Sequence, residues 1–136
     1  MRLVVAVTLF PHGAQKALGL FGGYGFNATM NMFETKMGIP AIFAFLAIVA
    51  EFFGSLGVAF GFLTRLSSLG VFVLMSVAMT MSLKNGFFMN WSGTQKGEGI
   101  EFFIPVLGIL LALMITGGGA LSLDNCLKPM ISKKRI

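Results

Sequence analysis

The chain has 136 residues, of which 56% are apolar and only 11% charged, and its formal net charge is +5. A soluble domain carries about a quarter charged residues, so the length fits one domain and the composition places that domain in lipid. The basic residues gather at the ends of apolar runs and in the C-terminal tail, which reads as membrane-surface charge. No Lys/Arg stripe with interleaved aromatics points to nucleic acid.

Taken in chain order, the first segment covers about residues 2–19. Arg2 precedes a short apolar stretch, Leu3 to Phe10, and Pro11-His12 follows without a small-residue cleavage site. That pattern reads as a first helix and not as a signal peptide. Leu20 to Ile39 contains Phe21-Gly22-Gly23-Tyr24-Gly25-Phe26 and fits a loop plus a short helix at headgroup level. The second segment covers 40–63, with Pro40 at a helix start, where its missing N–H is harmless. From Ala41 to Leu63 only Glu51 and Ser55 bring polar side chains into an apolar run long enough to cross a bilayer.

The third segment, 66–83, is joined to the second through Thr64-Arg65 alone, so the two are expected to lie antiparallel. Lys84-Asn85-Gly86 opens a polar loop that holds Trp91 and ends near Glu98. The fourth segment, about 101–116, stops at Gly117-Gly118-Gly119, and a basic tail covers 124–136. The expected architecture is a single all-α membrane domain over 1–136. It is a transmembrane antiparallel four-helix bundle with a short interfacial segment between helices 1 and 2. Four crossings put Arg2, Arg65, Lys128, Lys133, Lys134 and Arg135 on one side, against Lys16, Lys36, Lys84 and Lys96 on the other. The positive-inside rule then predicts both termini in the cytoplasm.

Helical spacing turns the segments into faces. In the second, Ala44, Ala47, Glu51, Gly54, Val58 and Gly61 form a narrow small-residue stripe. Membrane helices approach one another along such stripes, and an ionised group at this depth needs a partner, so Glu51 is expected to face protein. The same spacing gives Ser68, Val71, Met75, Ala78 and Ser82 in the third and Glu101, Pro105, Gly108, Ala112 and Ile115 in the fourth. In the first it gives Val5, Leu9, His12 and Lys16, with His12 and Lys16 an i,i+4 pair. The predicted polar pocket is therefore His12, Lys16, Glu51 and Glu101, with Arg65, Lys84 and Asn85 as secondary candidates. The pattern leaves the pairing open between Lys16–Glu101 and His12–Glu51. Two readings of these charges stand side by side: ion pairs that fix helix register, and a cavity for a polar or redox-active small molecule.

Cys126 is the only cysteine and His12 the only histidine, which excludes an intrachain disulfide, a CxxC pair and multi-residue sites for haem, copper or iron–sulfur clusters. No metal site is expected.

Several stretches occur together in order: His12-Gly13-Ala14-Gln15-Lys16, Ala50-Glu51-Phe52-Phe53-Gly54, Gly61-Phe62-Leu63-Thr64-Arg65, Asn85-Gly86-Phe87-Phe88 and Glu98-Gly99-Ile100-Glu101. Thr116-Gly117-Gly118-Gly119 and Ser122-Leu123-Asp124 follow. With them the chain resembles the DoxX family of small bacterial membrane proteins. One departure is that the His often found in that family just before Asn-Gly-Phe-Phe has no counterpart at Ser82 to Lys84. The resemblance implies a multi-pass four-helix protein of the bacterial inner membrane, related to the small subunit of thiosulfate:quinone oxidoreductase. Two functions follow as expectations. One is an accessory component of a redox-linked membrane complex, packed against other membrane subunits or further copies of itself. The other is a catalytic quinone-linked oxidoreductase subunit, with His12 or Lys16 donating to quinone carbonyls and Glu51 or Glu101 exchanging protons. A quinone is the one cofactor considered, and no resident cofactor is evident.

Overall fold

The apolar runs fold as helices, and the first, second and fourth of them stop at Gly19, Gly61 and Gly117. The computed structural model describes the backbone of residues 1–132 and the side chains of residues 1–127. In order these are α1 (Arg2–Leu18), α2 (Gly25–Thr35), α3 (Ala41–Phe60), α4 (Thr64–Ser82), a 3₁₀ turn (Leu83–Asn85), α5 (Phe103–Thr116) and α6 (Leu123–Ser132). There is no strand among the described residues. Among the described residues two helices are long and apolar enough to cross a membrane: α3, and α4 continued through the 3₁₀ turn to Asn85. Helix α5 is apolar but only 14 residues long.

Helix α1 packs on α3, α3 on α4, and α4 on α5, while α2 lies against α1 and α3. The core between them is Val5 and Leu9 of α1, Val58 of α3, Val71 and Met75 of α4, and Val106, Leu110 and Leu113 of α5. Outward faces carry large apolar side chains such as Phe45, Phe53, Val73 and Leu111, as a lipid-facing surface requires. In α3 the inward positions are Ala44, Ile48, Glu51, Ser55 and Val58. In α4 they are Thr64, Ser68, Val71 and Met75.

The predicted inner stripe of the fourth segment is corrected. Pro105, Gly108 and Ile115 face outward, and α5 buries Val106, Leu110 and Leu113 instead. With no buried polar group on α5, its rotation follows the greater gain from burying large aliphatic side chains. The segment also starts two residues later than expected, because Ile100 and Glu101 donate their N–H groups to Gly86 O and Phe87 O (3.1 and 2.8 Å). Within the expected basic tail, the described residues form α6. Lys133, Lys134 and Arg135 lie outside the described residues, as does the side chain of Lys128.

The turn from α3 to α4 falls at Gly61–Leu63, three residues earlier than the expected Thr64-Arg65 link, and Thr64 and Arg65 already belong to α4. Gly61 adopts a left-handed conformation at φ 66°, and Phe62 N–H returns to Gly57 O at 2.9 Å, ending α3 at Phe60. Leu63 follows at φ 45°, a strained value for a residue with a branched side chain. What holds it there comes from 60 residues away. The Asp124 carboxylate accepts from Leu63 N (2.6 Å), Thr64 N (2.8 Å) and Thr64 Oγ1 (2.6 Å). Asp124 N–H in turn donates to Gly61 O at 2.9 Å. Arg2 adds a second tie across the same end, donating to Ala59 O (3.2 Å) and to Leu121 O.

Helices α1 and α3 approach most closely at Gly13, where a Cβ would stand 2.8 Å from Phe52 Cα and 2.9 Å from Phe52 N. Backbone, not side chain, would have to yield, so Gly13→Ala should destabilise the protein by about 1–3 kcal/mol. Gly108 is a helical glycine whose Cβ would meet nothing within 4 Å. Gly108→Ala should therefore be neutral or stabilising by about 0.5–1 kcal/mol. Thermal unfolding of the two variants in one detergent checks the contrast, and equal melting temperatures would contradict the close approach.

Candidate functional site

Glu51 sits in the eleventh position of α3, where Ser55 is the one other polar side chain, and is 3% exposed. Lys16 lies in the last turn of α1, where the helix dipole favours a cation. Its ammonium donates to Glu51 Oε2, forming the salt bridge between α1 and α3. The Lys16 side chain keeps 32% of its surface accessible and that of Glu51 only 4%. The pair is thus one-sided, with a fully enclosed acid and a base that reaches the exterior. Gly13, one turn before Lys16, provides the close backbone contact that makes the reach short. The rings of Phe10 and Phe52 stand 5.7 Å apart across the same two helices.

Of the four residues expected to form one pocket, the structure joins two. Neither expected pairing forms: Glu51 takes Lys16 and not His12, and Glu101 does not meet Lys16. His12 is exposed, since the buried face of α1 centres on Val5, Leu9, Gly13 and Ala14 and leaves position 12 outside it. Glu101 lies before α5 and accepts from Met89 N at 3.1 Å, closing the loop between α4 and α5. Glu98 does the same for Asn90 N at 2.8 Å. Among the secondary candidates, Lys84 and Asn85 line a cleft of about 480 Å³ with Lys96, and Asn85 Nδ2 donates to Glu98 O at 3.0 Å. Arg65 lies at the other end, donating to Ile115 O at 3.1 Å.

Sequence reasoning missed Asp124 as a tertiary cap. The available signal was an acid two residues after Ser122, at the start of an amphipathic stretch in an otherwise basic tail. The inner faces of α3 and α4 continue the polarity of Glu51, with Ser68 on the face expected for it and Ser55 and Thr64 as inward residues the stripes had not included. Ser55, Ser68 and Thr64 are each 0% exposed. Ser55 donates back to Phe52 O at 2.9 Å, whereas Ser68 Oγ has no partner among the described residues.

Chemically, the pair sets a donor and an acceptor of opposite charge inside an apolar shell. Removing one member of a buried pair leaves an uncompensated charge, and that loss is far larger than the net worth of the pair. The two halves differ here. Lys16→Met leaves Glu51 enclosed and should destabilise by about 3–5 kcal/mol. Glu51→Gln leaves an ammonium that can turn outward along its flexible stem, so it should cost clearly less. The double variant should recover most of the Lys16→Met loss. A double-mutant cycle on unfolding in detergent measures all three, and Glu51→Gln proving the worse single change would contradict the one-sided geometry.

The DoxX family model matches residues 1–91, which include both members of the ion pair and the α3–α4 corner. Inner membrane protein YqjF of Escherichia coli (strain K12) is 31% identical over 105 residues, covering 76% of this chain and 75% of that protein. No solved structure matches the chain. With a family model over two thirds of its length and a relative of this similarity, the chain belongs to the DoxX family of membrane proteins.

Proposed function

We propose that the chain is a multi-pass subunit of the bacterial inner membrane, an antiparallel bundle of α1, α3, α4 and α5 with both termini in the cytoplasm. In this reading it serves as an accessory component of a redox-linked membrane complex. The observation that carries it is the Lys16–Glu51 pair. An enclosed acid clamped to a cation on the neighbouring helix fixes the packing of two helices and leaves little free charge for chemistry of its own. A chain with one His and one Cys also has no His pair for haem and too few thiolates for an iron–sulfur cluster, so in this reading electrons travel through a partner. The outward apolar faces of α3 and α4 offer such a partner, or lipid, a continuous surface.

The relative named as an inner membrane protein supports the location, and the basic residues support the orientation. Arg2 and Arg65 meet the same end of the molecule, as shown by the ties of Arg2 to Ala59 and Leu121 and of Arg65 to Ile115. Lys84 and Lys96 share the other end.

Two experiments test this. Green fluorescent protein fused to the C-terminus should fluoresce, and alkaline phosphatase fused there should stay inactive; the reverse pattern would overturn the topology. Purified in mild detergent from its own membranes, the chain should come out with a larger redox assembly and show no quinone reduction alone. Thiosulfate-dependent quinone reduction by the isolated chain, abolished by Glu51→Gln, would replace the accessory role with the catalytic one.

A further inference from the structure

The end of the molecule where α3 turns into α4 holds a second polar site, separate from the ion pair. A cleft of about 700 Å³ opens between the α3–α4 corner, the glycine run after α5 and the first turn of α6. That volume lies within the usual range for small-ligand sites. Its walls combine two kinds of chemistry. Leu63 and Leu66 are apolar and 52% and 64% exposed. They stand at the junction of the two helices long enough to span a bilayer, which puts them at the boundary between hydrocarbon and headgroups.

Arg65 supplies the charge. It is exposed and uses its guanidinium on Ile115 O, a contact that engages one of five N–H donors. Asp124 also lines the cleft, but both of its oxygens accept from the α4 N-terminus and Thr64, so its charge lies against the positive end of that helix. The outward-facing ionic group is therefore the guanidinium. A planar, permanently charged fork beside an apolar wall at membrane-surface depth matches a phosphate that carries acyl chains.

We propose that this cleft binds the headgroup of a membrane glycerophospholipid, with Arg65 donating to its phosphate and Leu63 and Leu66 lying along the first methylenes of its chains. The full chain, purified in mild detergent, would be incubated with phosphatidylglycerol or with diacylglycerol of the same chains, and bound lipid counted by native mass spectrometry. One phosphatidylglycerol should be retained per chain and diacylglycerol should not. Arg65→Gln should lower retention about tenfold, the usual weight of one charge-assisted contact. Asn125→Glu should do the same by repulsion. Asn125 is exposed on the rim, and its replacement adds an acid to the first turn of α6, where an acid favours the helix, so this variant decides the matter even if Arg65→Gln misfolds. Lys36→Gln, on exposed Lys36 after α2, should leave retention unchanged. Equal retention in wild type and Asn125→Glu, or of diacylglycerol, would overturn the proposal. Displacement of the lipid by millimolar inorganic phosphate would reassign the cleft to a soluble phosphate ligand.

Discussion

The ion pair between Lys16 and Glu51 sets the terms for the rest of the molecule. Glu51 is nearly fully enclosed in a helix whose one other polar side chain is Ser55, and an ionised carboxylate in such surroundings is tolerated only with a cation or a set of hydrogen bonds beside it. That requirement fixes the rotation of α3, because only one face can present the acid to α1. It also fixes the rotation of α1, because Lys16 has to point at that face. Gly13 then becomes part of the electrostatics. Without a side chain at that position, the helix backbones come together and the ammonium reaches the carboxylate.

The other carboxylates do a different job in the same currency of hydrogen bonds. The chain has five acidic residues. Beyond Glu51, three of them spend their oxygens on backbone N–H groups: Glu98 on Asn90, Glu101 on Met89, and Asp124 on Leu63 and Thr64. Glu98 and Glu101 secure loop N–H groups between α4 and α5, and Asp124 takes up N–H groups at the start of α4, which have no partner within the helix. Asp124 is the furthest reaching, since it holds the turn between the two candidate membrane helices from a helix that follows all the others.

Much of this was legible from residue order, and the failures have physical causes. The apolar runs gave the helices, because length and hydropathy are local properties, and the small-residue stripe placed Ala44, Glu51 and Val58 inward, while Ile48 and Ser55, not Ala47 and Gly54, complete the buried face of α3. The identity of its partner was not legible. His12 and Lys16 share a helical period, and the choice between them rests on a rotation of a few tens of degrees and on the longer reach of lysine. In α5 the small residues misled, because Val106, Leu110 and Leu113 bury more apolar area and win the inward face. Asp124 was hidden for another reason: a cap supplied from 60 residues away leaves no periodic trace near the helix it caps.

The contact at Gly13 also constrains how the protein could change shape. Two helices whose backbones touch, with a charge pair beside the contact, resist being prised apart, since a gap would strand an acid in an apolar shell. Axial sliding keeps the surfaces in register with hydrocarbon and lets a flexible lysine follow its carboxylate. Hinge-like opening along this seam therefore carries the cost of exposing that acid unpaired, which favours a closed α1–α3 contact.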